Sequence, residues 1–247
     1  MPPIETTRIA SAAILGLVAA AANLLGGYFV VYRNWPRRYL QYFVALGAGY
    51  MLAVAFLDVI PESIRLAGDN AFIFILIGYF LIHLFEHTIA PHFHFGEETH
   101  HEEVSHQHAR TTMLLGLAIH TFFDGVAIAS GFLVSNWLGA IIFLAIFLHK
   151  LPEGFTVASV VLASGQSRRN AILASGLLGA ATLLGVLLTT LLQSQLKYAL
   201  PLSGGVTIYA AATDLLPEVN REPNWRMALL VFVGVASLLI MQRLFHV

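Results

Sequence analysis

The chain has 247 residues, 57% of them hydrophobic and 11% charged, with a net charge of −1 and no cysteine. A water-soluble domain carries roughly 25% charged residues, so this chain cannot cover a water-facing surface and its solvent is a lipid bilayer. The charge balance points to no nucleic-acid partner, and the lack of cysteine excludes disulfides and thiolate metal sites.

The N-terminal MPPIETTRIA has an acid and no basic cluster before the first apolar run, so it does not read as a cleaved signal peptide. A spanning helix needs ~20 mostly apolar residues. Eight runs qualify, at about 9–32, 39–60, 71–90, 111–134, 137–163, 171–193, 198–216 and 227–244. The first and sixth carry no formal charge. The second holds Tyr50 and Met51 midway and ends D-V-I-P-E, Asp58 to Glu62. The third ends H-L-F-E-H, His83 to His87. The longest connection, 91–110, reads HFHFGEETHHEEVSHQH in its middle. The fourth run contains HTFFDG, with His120 and Asp124, and the fifth HKLPEG, with His149, Lys150 and Glu153. The seventh is interrupted by Pro201 and the Gly204-Gly205 pair and ends D-L-L-P-E, Asp214 to Glu218. RNWPRR, GDN, GQSRRN and NREPN between the runs have turn chemistry.

Cytoplasmic loops carry the excess of Lys and Arg. With the N-terminus outside, the inside loops hold Arg33, Arg37, Arg38, Arg110, Arg168, Arg169, Arg221 and Arg226. The outside segments hold only Arg8, Arg65, Lys197 and Arg243. Both termini are therefore expected outside, with the His/Glu-rich loop 91–110 cytoplasmic. The two D-x-x-P-E copies suggest an internal repeat. If spans one to three and six to eight are the copies, their odd number of crossings inverts them, as in transporters with a midplane substrate site.

Charged side chains near mid-membrane cost at least ~2.5–3.5 kcal/mol, so they persist where they line a path or pair. In both HTFFDG and HKLPEG the acid follows the His by four residues, which puts imidazole and carboxylate on one helix face. A very short turn at Ser135-Asn136 makes the two spans antiparallel neighbours, with His120 and His149 at similar depth. Two imidazoles and two carboxylates suit a borderline divalent cation such as Zn²⁺. Pro152 frees the carbonyl of Leu148. Lys150 would repel a metal but could pair with Asp124 or Glu153.

HxxxDG followed by HKxPEG on the next of eight spans, after a His-rich loop, resembles the ZIP (Zrt/Irt-like) family of divalent-metal transporters. The resemblance covers essentially the whole chain. It implies an all-α eight-helix membrane domain, residues 1–247, with inverted three-helix repeats around central spans four and five. It also implies a transport site on those two spans, with His120, His149 and Glu153 as primary ligands and Asp124 close by. Two positions depart from the family pattern. Thr121 stands where many relatives have Asn after the fourth-span His. Lys150 stands where some relatives hold a second metal with an acid, so one transported metal is expected, with Lys150 neutralising an acid. Met51, or Tyr50, falls where the family can contact the metal from the second span.

The expected function is uptake of a divalent metal, zinc first, then iron, manganese or cadmium, by alternating access in which the repeats rock against the central helices. Asp58 and Glu62 would line the outer mouth. Asp214 and Glu218 would line the inner one, with His83, Glu86 and His87 as metal acceptors on the exit side. The cytoplasmic loop would bind metal loosely and sense its level. No catalytic residue and no resident cofactor are expected; metal is the cargo. A rival reading takes H-x-x-E-H as an inverted zinc-hydrolase pattern, with His83 and His87 as ligands and Glu86 as base. A further rival is a metal sensor without flux. A homodimer is left open, because GxxxG-like pairs are too common here to decide. The compact chain suits a bacterial inner membrane.

Overall fold

The computed structural model describes residues 6–33, 37–88, 107–221 and 224–245. The His/Glu-rich stretch 91–106 lies outside them. Among the described residues every regular element is helical, and eight helices are long and apolar enough to cross a membrane. They are α1 (Thr6–Tyr32), α2 (Arg38–Ala67), α3 (Asn70–Thr88), α4 (Gln107–Val134), α5 (Asn136–Ala163), α6 (Arg168–Leu191), α7 (Gln193–Asn220) and α8 (Trp225–Leu244). Large apolar side chains such as Phe72, Phe80, Leu229, Phe232 and Ile240 face outward. An apolar outer surface of this extent is what a lipid solvent permits and water does not.

Side-chain caps start the helices where the sequence supplies them. Ser135 Oγ accepts from the Leu138 N–H at 3.0 Å and opens α5, and Ser167 does the same for α6 through Asn170 at 3.2 Å. Arg8 of α1 donates to the Val134 carbonyl at 2.9 Å, placing a cation on the C-terminal end of α4.

The second and seventh apolar runs were expected to end at 60 and 216. Instead α2 continues to Ala67 and α7 to Asn220. Each helix widens into a π turn just before its proline, at Ala55–Val59 and Ala210–Leu215. The N–H of Ile60 reaches back to the Ala55 carbonyl, and that of Leu216 to Ala211. A proline cannot donate to the ladder, and the extra residue of a π turn re-registers the helix around the missing bond. Asp58 and Asp214 sit within these two turns.

Helices α1, α4, α5 and α6 pack on one another, with α1 against α5 and α6 against α4 as the broadest contacts. Helices α2 with α8 and α3 with α7 form two flanking pairs, which meet the inner group chiefly through α2 on α5 and α7 on α4. Each close crossing uses a glycine from both sides. Gly26 and Gly154 join α1 to α5, Gly125 and Gly185 join α4 to α6, Gly49 and Gly234 join α2 to α8, and Gly78 and Gly205 join α3 to α7. A Cβ on Gly154 would lie 2.0 Å from the Asn23 carbonyl oxygen, and one on Gly125 2.0 Å from that of Thr182. These are the glycines that follow the acid in HKLPEG and HTFFDG. They let a neighbouring backbone pass directly behind the acid-bearing turn, which fixes its depth and rotation.

Candidate metal centre

His120 and Asp124 lie one helical turn apart on α4, and His149, Lys150 and Glu153 face them from α5. All are buried, none more than 8% exposed. Nε2 of His120 and Nε2 of His149 each lie 3.4 Å from Asp124 Oδ2. One ligand atom from each of these three residues falls within 4.8 Å of the others, the only such group of three or more potential ligands among the described residues. The two imidazole rings are 5.8 Å apart, centroid to centroid.

Both nitrogens of the His149 ring face acceptors, Nδ1 the Ala145 carbonyl at 3.1 Å and Nε2 Asp124 Oδ2 at 3.4 Å. A neutral ring with its proton on Nδ1 leaves the Nε2 lone pair for a cation. A backbone carbonyl behind a ligating imidazole orients the ring and raises its basicity. His120 Nδ1 is buried without a partner.

Glu153 is placed differently from the other ligands expected. Its Oε2 accepts from Lys150 Nζ at 2.7 Å, and its Oε1 lies 2.9 Å from the Thr121 hydroxyl. That hydroxyl also touches the Leu117 carbonyl, and its single proton can serve only one of the two acceptors. Lys150 Nζ bridges to Asp124 Oδ2 at 2.6 Å. The lysine therefore pairs with both acids.

The remaining residues named from sequence are spread along the helices. Met51 and Tyr50 are fully enclosed in the core; the Tyr50 hydroxyl donates to Met241 Sδ at 3.5 Å. Glu62 pairs with Arg65 one turn on. Asp58 accepts from Gln242 Nε2 at 3.1 and 3.0 Å through its two oxygens. On α3, Glu86 accepts from the Tyr209 hydroxyl of α7 at 2.7 Å, and Asp214 Oδ1 is buried without a hydrogen-bond partner. His83 and His87 stack at 4.1 Å on an exposed face, with His87 Nδ1–H donating to the His83 carbonyl at 2.8 Å. Glu218 lines a small cavity with Gln41, Val44, Val219 and Met227. Gln242 and Tyr209, which hold the acids of the two ends, belong to no motif and were not singled out from sequence.

A family model described as ZIP Zinc transporter matches residues 6–113 and 98–242. The chain belongs to the ZIP family. This ZIP protein is 28% identical to the Zinc transporter ZupT of Enterobacter sp. (strain 638), across 93% of this chain and 96% of that protein. It is 28% identical to the Zinc transporter ZupT of Salmonella newport (strain SL254) over the same shares. It is 31% identical to the Zinc transporter ZIP13 homolog of Drosophila melanogaster, over 54% of this chain and 41% of that protein. It is thus a multi-pass membrane transporter of divalent metal and not an enzyme. That removes the hydrolase reading of H-L-F-E-H, whose Glu86 is in any case occupied by Tyr209.

Proposed function

We propose that this ZIP protein carries zinc into the cytoplasm through a single-metal site made by His120, Asp124 and His149, with Glu153 able to join when it leaves Lys150. The observation that carries this reading is the convergence of two imidazole Nε2 atoms on one buried carboxylate oxygen, from adjacent helices. Two nitrogens and one or two oxygens are a zinc-like donor set, which iron, manganese and cadmium can also use. The zinc-transporter names of the relatives support zinc as the first of these.

The inverted-repeat reading is supported by more than D-x-x-P-E. Gly49, Asp58, Pro61, Glu62 and Gly78 recur at one constant offset as Gly205, Asp214, Pro217, Glu218 and Gly234. Both copies carry the π turn, and the helix pairs exchange as two inverted halves require. Alternating access then moves the group holding α4 and α5 relative to the α2–α8 and α3–α7 pairs. With the termini outside, Asp58 and Glu62 stand at the outer mouth. Asp214, Glu218 and the His83–Glu86–His87 turn receive metal at the inner one, and the His/Glu loop binds it loosely beyond. The chain sits as one domain in a cell membrane, a bacterial inner membrane by its compactness and its ZupT-like length.

The test is metal uptake by purified protein in liposomes, comparing Zn²⁺, Fe²⁺, Mn²⁺ and Cd²⁺, wild type beside His149→Ala. Zinc uptake should fall by at least about a hundredfold in the variant, since it removes one of three strong ligands. Uptake undiminished by the substitution would move the metal elsewhere. Neutral imidazoles are required for binding, so protons compete with the metal. Uptake should therefore fall steadily as the outside is taken from pH 7.5 to 5.5. A rate flat across this window would remove the histidines from the site.

A further inference from the structure

The cargo accounts for His120, Asp124 and His149. It gives no reason for Lys150. A lysine beside a cation site repels the cation, yet this one has no exposed surface and touches both acids, at 2.6 Å to Asp124 and 2.7 Å to Glu153. Its stem lies in a helix interior where an apolar residue would pack at no electrostatic cost. Something other than metal affinity must favour it.

The charges show where the gain lies. Asp124 and Glu153 contribute two negative charges, and the imidazoles are neutral when they bind metal. Without the lysine the loaded site would be neutral and the empty site doubly negative. With the lysine the loaded site carries one net positive charge and the empty site one net negative charge. Two bare carboxylates held together in a dry interior repel each other and lose their hydration, a burden that one internal ammonium largely removes. The lysine makes the loaded state worse and the empty state better. A carrier that alternates access must move its site in both states. The state that a tethered cation favours is the empty one, in which the site returns.

We propose that Lys150 is a built-in counter-cation for the empty carrier. It fills the place of a proton or second ion during the return step, so this ZIP protein resets without a counter-transported ion. The inference rests on the transport reading above. The Thr121 hydroxyl lies 2.9 Å from the second oxygen of Glu153, within reach to hold that carboxylate turned toward the ammonium.

The experiment compares two modes of labelled zinc influx into proteoliposomes. In one the lumen is metal-free, so the carrier must return empty. In the other the lumen holds unlabelled zinc, so it can return loaded. In the wild type the two rates should agree within about twofold, because empty return is not a barrier. In Lys150→Met the metal-free rate should fall at least about tenfold relative to exchange, as an uncompensated buried charge must now cross. Lys150→Arg should keep the wild-type ratio. The double variant Lys150→Met with Glu153→Gln restores a single net negative charge and should bring the ratio back toward wild type.

Strong acceleration by lumenal zinc in the wild type would overturn the proposal without any variant. So would a Lys150→Met protein that elutes as one sharp species and loses both modes equally, or neither. If Lys150→Met does not fold, the wild-type ratio and the double variant still decide. No labelled zinc influx in either wild-type mode would instead sink the transport reading.

Discussion

The acids at the two ends of the molecule occupy matching places and keep different company. Asp58 lies in the π turn of α2, and Asp214 in that of α7. Each faces the last turns of a flanking helix, α8 for Asp58 and α3 for Asp214. The facing residues, Gln242 and Glu86, stand at the same constant offset that relates the two aspartates. Gln242 donates its amide to both oxygens of Asp58. Glu86 is itself an acid, stabilised by the Tyr209 hydroxyl, and Asp214 Oδ1 is left without a hydrogen-bond partner. The backbone is repeated while the chemistry is not. At the α2 π turn the aspartate is already satisfied by a neutral amide. At the α7 π turn a further acid, Glu86, stands at the position of that amide.

The largest effects should come from breaking what the halves share. Gly49→Leu and Gly205→Leu each drive a side chain into a backbone, where even a Cβ would lie 2.0 Å from the Val231 or Ile75 carbonyl. Overpacking of a rigid contact costs about 1–3 kcal/mol, occasionally more. Both variants should melt well below wild type, and by similar amounts, in a thermal assay in detergent. A large difference between them would break the equivalence of the α2–α8 and α3–α7 crossings.

Next comes charge reversal at Asp58. Asp58→Lys should raise the apparent KM for zinc about tenfold, because it puts a positive charge on the proposed entry path. Initial rates across zinc concentration measure it, and an unchanged KM would take Asp58 off the path.

The smallest effects should come from exchanging the partners. Gln242→Glu adds an acid beside Asp58 and should lower the KM about threefold. Glu86→Gln removes an acid at the α7 end and should lower the maximal rate by a similar factor, with little change in KM. Identical responses to the two exchanges would mean that the ends work alike despite their different partners.

Much of this molecule is legible along the chain. Eight helices appear within a few residues of the apolar runs. His120, Asp124 and His149 meet as their four-residue spacing and the short α4–α5 turn require. The second and seventh spans outrun their apolar runs, because hydropathy ends at Pro61 and Pro217 while a π turn lets each helix continue past its proline. The glycines that echo between the halves were present in the sequence. They gain meaning only when each is seen against the backbone it admits.

The sequence by itself determined the solvent, the number of spans and the meeting of His120, Asp124 and His149. Hydropathy over twenty residues and side-chain spacing within one helix are local properties, so no long-range contact is needed to read them. Tertiary structure alone decided that Glu153 turns to Lys150 and Thr121, that Lys150 reaches Asp124 on another helix, and that Asp58 and Asp214 receive unlike partners. Those pairings join helices far apart in the chain. Their outcome depends on how closely two backbones approach and which rotamer fits between them, and no pattern within either segment records that.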